Sequence, residues 1–257
     1  MASTLDNVPE KYLKYVGGKG FPRGEKGLEN CPVKGIDIDQ VHEMILCCDE
    51  TADYLYGEYT PEKVSYKRGS RPVLEEIATS AIDGCIRDID KIQALLAWVN
   101  TNVLHPIGRA ESSPPDRAAS EEVLMESGWG WCNEQARVYI ALAQVCGFMG
   151  RVIFLSHESE PFGHTSAETF LEGKWFFTDP TYGLLLSGDK GKLLSGRDIQ
   201  IDPAAKRACD DLYYRVQIRQ AMRWRKTSGT MRWRDQLMNR PHDSKLFTYF
   251  ALCNYII

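Results

Sequence analysis

The chain has 257 residues, 43% of them apolar, and a formal net charge of -4 at pH 7. That is enough apolar material for one sizeable core with additions, and the charge gives no reason to expect nucleic acid or an anionic membrane as the main partner. No run approaches the ~18 apolar residues of a membrane span, and the polar start Met1-Ala-Ser-Thr-Leu-Asp6 lacks the apolar stretch of a signal peptide, so the reading is cytoplasmic.

Residues 1 to 35 are rich in Gly, Lys and Pro and carry no sustained period, which suits an extended arm rather than a phosphate loop. From Asp39, the apolar residues Val41, Met44, Ile45, Cys48, Ala52 and Leu55 mark an amphipathic helix. His42-Glu43 resembles the start of a metalloprotease motif, but no second histidine follows four residues on, so no metal site is assigned there. Pro72 followed by Val73, Leu74, Ile77 and Ile82 predicts a second helix with proline in its first turn. Asp88 is expected to cap a third, with Ile89, Ile92, Leu95, Leu96 and Val99 as its core-facing stripe. The irregular loop from His105 to Asp116 leads to a helix expected over Ala118 to Glu126.

The turn Trp129-Gly130-Trp131 then runs straight into Cys132, after which Ala136, Tyr139, Ile140, Ala143 and Val145 recur at helical spacing until Gly147, where a left-handed cap belongs. Cys132 is therefore expected on the first turn of a helix of about four turns, at ~3.6 residues per turn. The free N–H groups and the positive dipole end there favour thiolate over thiol. A buried thiol acting as apolar filler is nevertheless the commoner fate of a cysteine, and the residues downstream decide between the two.

Downstream, Arg151 to Leu155 reads as a buried strand, and the runs from Gly163 to Leu171 and from Lys174 to Asp179 flank Glu172-Gly173 as a hairpin. With a two-residue loop Leu171 faces Lys174, Ser166 lies across from Asp179, and His164 is on the same face as Ser166. His164 and Asp179 then become diagonal neighbours able to hydrogen-bond, whereas a three-residue loop would send them to opposite faces. A helix-start cysteine beside such a pair suits acyl transfer through a thioester: Cys132 as nucleophile, His164 as base and later acid, Asp179 holding the imidazole. The backbone N–H of Cys132 is the first oxyanion donor; Trp131, Trp129, Trp98 and Asn102 are further oxyanion or cleft candidates, though packing and capping explain each equally well. His105, followed by a proline and with no carboxylate placed beside it, is a weak rival base, and His157 a stronger one.

The segments Cys132-Asn-Glu-Gln-Ala136 to Gly147-Phe-Met-Gly-Arg-Val152, His164-x-x-x-Glu168-x-Phe170, and Gly173-Lys-Trp175-x-x-x-Asp179-Pro-Thr181 resemble the core of the transglutaminase-like superfamily, whose fold is related to papain-like proteases. Carried over position by position, the resemblance implies Cys132 as nucleophile, His164 as base and Asp179 as orienting acid. Thr165-Ser166 stands where the family pattern has Ala-Trp, which implies a smaller, more polar wall beside His164. Residues 89–100 are similar to the helix that precedes the family core. No calcium loop is recognisable.

Beyond Asp179, Leu184 to Leu186 and Lys192 to Leu194 flank Ser187-Gly-Asp-Lys-Gly191 as a further hairpin, and residues from about 202 to 226 read as a helix. From Lys206 to Lys245 eleven Lys/Arg stand against four Asp/Glu, so this stretch is basic in an otherwise acidic chain. Met222-Arg-Trp-Arg225 and Met231-Arg-Trp-Arg234 could stack on bases or hold acidic groups; an arginine-rich face closing on the acidic part of the same chain is the simpler reading. The apolar end from Leu246 to Ile257 should pack on the core. Eight cysteines with no CxxC pair suit neither zinc nor a compact disulfide scaffold, and no metal or cofactor is expected.

The expected architecture is α+β: a papain-like, transglutaminase-like core whose antiparallel sheet packs on the Cys132 helix, with extra helices at both ends. Residues 1–75 are an N-terminal arm and helical extension, 76–190 the catalytic core, and 191–257 a basic, mostly helical extension. The expected activity is cysteine-dependent acyl transfer from a peptide, small-molecule amide or carrier-bound acyl group to water or an amine. The alternative is a non-catalytic binding or scaffold protein that keeps the fold.

Overall fold

A computed structural model describes residues 64, 66–105, 119–156, 163–188, 191–209, 211–212, 215–216 and 248–253, with 154–156, 200 and 248–253 described through their backbone alone. The helix expected after Asp39 with His42, the loop 106–118, His157 and both Arg-Trp-Arg repeats lie outside these residues.

Helix α1 spans Pro72–Ala81, with proline at its start, where the missing N–H has no helical partner to lose. Leu74 and Ala78 are buried against the core, so the domain boundary drawn at 75 falls inside a helix that belongs to the core. Helix α2, Asp88–Asn102, buries Ile92, Leu95, Leu96 and Val99 as its periodicity predicts. Its cap is not Asp88 but Arg87, in extended backbone; Asp88 is the first helical residue and its carboxylate takes the Lys91 ammonium at 2.8 Å. Helix α3 runs over Glu121–Ser127 rather than 118–126, because Ser120 accepts the Val123 N–H and Gly128, at φ 72°, turns the chain left-handed.

Helix α4, Cys132–Val145, has every residue from Cys132 to Gln144 buried. A helix enclosed on all sides is central, and α4 packs on α1, α2, α3 and the sheet. Its end closes as the glycine predicts: the Gly147 N–H donates to Gln144 O at 2.9 Å and the Phe148 N–H to Ala143 O at 2.9 Å. Its buried polar side chains are partnered, Arg137 with Glu121 at 2.7 Å and the Tyr139 hydroxyl with Thr169 at 2.6 Å. Glu121 also takes Arg71 at 2.8 Å, which ties the start of α1 to α3 and α4.

Among the described residues five strands form one sheet, β1 (Gly150–Ser156), β2 (Gly163–Leu171), β3 (Lys174–Asp179), β4 (Leu184–Leu185) and β5 (Thr248–Cys253), in the order β4-β3-β2-β1-β5. All neighbours are antiparallel. The apolar C-terminal run thus supplies the edge strand β5 beside β1. The two faces bury different things. Val152, Ala167 and Leu171 join Leu95, Leu96, Val138 and Leu142 in the core around α4. Ile153 and Phe177, on the other face, pack with Leu186, Leu194, Ile199, Ala205 and Cys209 from the chain that follows the sheet.

The helix expected from about 202 is present among the described residues at 203–209, 211–212 and 215–216, and a separate short helix precedes it. Ser195 and Asp198 form a reciprocal cap that starts a separate helix α5, Gly196–Ile201, and Asp202, in extended backbone, interrupts before helical structure resumes at 203–209. Arg151 and Glu168 fasten this layer to the sheet. Both are fully buried; Arg151 Nε donates to Glu168 Oε2 at 2.7 Å, Glu168 Oε1 accepts the Gly196 N–H at 2.7 Å, and the guanidinium lies 4.0 Å over the Trp175 ring.

Arg151→Met should strand the Glu168 carboxylate without its cation and lower stability by about 3–5 kcal/mol, measured as a shift in urea unfolding. In the opposite direction, Glu172 has φ 52° in the β2–β3 turn, a conformation asparagine adopts more readily. Glu172→Asn should therefore raise unfolding stability by about 0.5–1 kcal/mol.

Candidate active site

The β2–β3 hairpin has the register the sequence predicts. Glu172 and Gly173, at φ 52° and 78°, make a two-residue turn with positive φ at both positions, and Leu171 pairs with Lys174, Thr169 with Phe176 and Ala167 with Thr178. His164 and Asp179 consequently project from one face, and His164 Nε2 meets Asp179 Oδ2 at 2.7 Å. Asp179 is fully buried and its other oxygen accepts the Tyr182 N–H at 3.2 Å, while the His164 side chain keeps 15% exposure. A carboxylate held at both oxygens leaves the imidazole little freedom to turn.

Cys132 stands at the first position of α4, 6% exposed, and is hydrogen-bonded to His164. Burial disfavours the imidazolium, but the charge and hydrogen bond of Asp179, reinforced by Cys132, outweigh it and raise His164 from 6.5 to about 10. The three residues singled out by pattern therefore form one connected chain, sulfur to imidazole to carboxylate.

The turn into α4 is set by close packing. A Cβ at Gly130 would lie 2.7 Å from the Glu134 Cβ, so a side chain there would push the turn off the helix. Glu134 accepts the Trp131 N–H at 2.9 Å, which removes that group from the oxyanion donors. The Cys132 N–H, at the first helical position, has no carbonyl of its own helix to meet.

The remaining cleft candidates occupy varied places. Trp131 stands at the site, its ring edge-on to His105 with centroids 5.2 Å apart. Trp129 is half-buried in the turn, its backbone bridged to Leu104. Trp98 packs against the core cluster, and Asn102 is exposed, its amide donating to Trp98 O at 2.8 Å in its own helix. Thr165 and Ser166 do not wall an open cleft. They are 3% and 0% exposed, and the Ser166 hydroxyl donates to Thr178 O at 2.8 Å within the sheet.

Two further residues stand beside the chain, His105, which the sequence offered only as a weak rival base, and Tyr182, which it did not offer. His105 is 8% exposed and close enough to feel His164 and Asp179. Burial pushes it down to about 3, the His164 cation adds to this, and Asp179 opposes it, so His105 is uncharged. Hydrogen bonds from the Leu104 N–H to Gly128 O at 2.9 Å and from the Gly130 N–H to Leu104 O at 3.0 Å put it there, a pairing of segments distant in sequence. Tyr182 lies 5.7 Å from the His164 ring; its one sequence signal was its place three residues after Asp179. Among the described residues no helix is long and apolar enough to cross a membrane, and no group of three His, Cys, Asp or Glu could hold a metal ion.

Residues 75–180, a stretch that includes Cys132, His164 and Asp179, match the family model of the transglutaminase-like superfamily. Solved structures similar to the chain include a candidate cysteine protease from Cytophaga hutchinsonii, 19% identical over 69% of this chain and 53% of that one, with a TM-score of 0.36. A candidate protease from Parabacteroides distasonis is 11% identical over 43% of this chain and 23% of that one, TM-score 0.33. A TGase is 12% identical over 52% of this chain and 37% of that one, TM-score 0.33. The chain thus spans about half the length of these proteins or less. A search of curated proteins finds no match.

In the folded state His164 holds a proton that an unfolded chain releases near pH 6.5, so its contribution to stability is full below that pH and is withdrawn as pH rises through about 10. The His164 ring resonance should accordingly titrate near pH 10. Asp179→Asn removes the largest favourable charge and leaves burial opposed by Cys132 alone, so the midpoint should fall well below 10, read by NMR against a His164→Gln control.

Proposed function

We propose that the protein, whose residues 75–180 match the transglutaminase-like superfamily model, is a cysteine-dependent acyl-transfer enzyme. The observation that carries this reading is His164 placed between the Cys132 thiol and the Asp179 carboxylate, 2.7 Å from the latter. A structural thiol has no use for an oriented imidazole, whereas thioester chemistry needs one twice.

In the proposed sequence, the Cys132 thiolate attacks the carbonyl carbon of an amide, ester or thioester, and the carbonyl π electrons move to oxygen. The Cys132 N–H at the mouth of α4 faces that oxyanion. As the tetrahedral species collapses, His164 gives its proton to the departing amine, alcohol or thiol, leaving an acyl-Cys132 thioester and a neutral imidazole. Water or an amine then attacks the thioester, His164 takes its proton, and Cys132 leaves as thiolate. Asp179 keeps the imidazole oriented and stabilises its cation throughout without changing its own protonation.

Limiting iodoacetamide at about pH 6, followed by peptide mapping, tests this directly, because the thiolate and not the thiol is alkylated. Cys132 should be modified well ahead of the other cysteines, and His164→Ala should remove the preference. Even labelling of several cysteines, unchanged in the His164 variant, would point instead to a scaffold that keeps the fold. With an acyl donor in hand, Cys132→Ala should lower turnover by roughly 10⁴–10⁶-fold, and product analysis with and without added amine distinguishes transfer from hydrolysis.

A further inference from the structure

Three segments must be held in register for the site to exist: the first turn of α4 with Cys132, the exit of β3 with Asp179, and the end of α2, which leads to His105. One buried side chain touches all three. Gln135, 1% exposed, is one turn along α4 from Cys132. Its Nε2 donates to Val103 O at 2.7 Å, at the end of α2 and two residues before His105. Its Oε1 accepts from the Thr181 hydroxyl at 2.6 Å, two residues after Asp179. The amide of Asn100, on α2, closes the figure by donating to Thr181 O at 2.6 Å. Thr181 is itself 3% exposed, and Gly183 lies against Asn100, with 3.3 Å available to a Cβ there.

We infer that Gln135 is a positioning residue, an amide clamp which, with Thr181 and Asn100, fixes the separation between the sulfur on α4 and the imidazole–carboxylate pair on the hairpin. The chemistry of the group fits that task. A carboxamide carries a donor and an acceptor on one planar head, so it donates to a backbone carbonyl on one side and accepts from a hydroxyl on the other. Leucine or methionine at this place would fill the volume, yet it would leave the Val103 carbonyl and the Thr181 hydroxyl without those partners. Glutamate would keep the acceptor for Thr181 and turn its second oxygen against the Val103 carbonyl. The bonds also act at the right place. Hydrophobic packing along the rest of α4 resists tilting of the helix as a whole, whereas the α4 mouth and the β3 exit, where the chemistry occurs, are joined by these polar bonds.

This inference rests on the proposed acyl-transfer reading for its catalytic meaning but is tested through the geometry of the site. The experiment uses the full chain in six forms: wild type, Gln135→Met, Gln135→Glu, Thr181→Val, Thr181→Ser and the double variant Gln135→Met/Thr181→Val. Two quantities are measured on each folded protein, the midpoint of the His164 ring titration by NMR and the pH profile of Cys132 alkylation by iodoacetamide; thermal unfolding is recorded alongside. Gln135→Met and Thr181→Val should each lower the His164 midpoint and slow Cys132 alkylation at about pH 6 by on the order of ten- to a hundred-fold, the effect of small misplacement. Thr181→Ser, which keeps the hydroxyl, should restore wild-type values. Gln135→Glu should fall with the disrupted variants. The double variant Gln135→Met/Thr181→Val should lose little beyond either single one, since both break the same link.

A merely structural role would lower the unfolding temperature and leave the midpoint and the pH profile of the folded protein where they were; that result overturns the clamp. If Gln135→Met does not fold, the Thr181→Val and Thr181→Ser pair decides the matter. Failure of the acyl-transfer reading shows elsewhere, as absence of preferential Cys132 labelling in the wild type. In that case the His164 midpoint alone reports whether Gln135 and Thr181 hold the pair.

Discussion

The register of one hairpin constrains the whole site. Because side chains alternate along a strand, His164 and Asp179 share a face only if the β2–β3 turn holds two residues, and Glu172-Gly173 meets that demand by taking positive φ at both positions. The 2.7 Å bond between imidazole and carboxylate follows from it. So does the elevated proton affinity of His164, since the carboxylate that causes it is buried and fixed by the same strand. The hairpin in turn stands on α4, through contacts such as the bond from Tyr139 to Thr169.

The sheet divides the molecule into two packing layers with different duties. Its α4 side is mostly apolar and packs on the helix that carries Cys132. Its other side carries His164, Asp179, Glu168 and Arg151 and is covered by the segment that follows β4. The charged pair Arg151–Glu168 is fully buried, and Glu168 reaches the backbone of α5, so the second layer is fastened close to the histidine strand. His164, Asp179 and the covering layer therefore share one sheet face, while Cys132 meets the imidazole from the first turn of α4. A site so enclosed has a low effective dielectric, and the mutual support of sulfur, imidazole and carboxylate is stronger there than it would be in water.

Polar groups do the joining wherever the enclosed elements meet. Glu134 holds the Trp131 N–H at the mouth of α4, Glu121 gathers Arg71 and Arg137, and Gln135 spans Val103 and Thr181. The first fixes a turn locally, whereas Glu121 and Gln135 link segments far apart in the chain through geometry that apolar packing alone does not supply.

What could be read from the sequence had local causes. The helical spacing after Cys132, the glycine at 147, the proline at 72 and the two-residue turn at 172–173 each act within a few residues, so the elements α1, α2 and α4 and the β2–β3 register were legible, and with them the meeting of His164 and Asp179. Helix ends were less so: Arg87 rather than Asp88 caps α2, and Ser120 with Gly128, rather than apolar spacing, bounds α3, because a cap is decided by which backbone N–H a side chain actually reaches. The tertiary structure alone decided the rest. His105 comes beside His164 only because Leu104 pairs with the turn at 128–130, Gln135 becomes a bridge only because α2 and the β3 exit converge on it, and Thr165–Ser166 turn out to be buried in the sheet. Local periodicity specifies what each segment is; which distant segments come into contact depends on how buried surfaces fit together, and that information is spread over the whole chain rather than written at any one place in it.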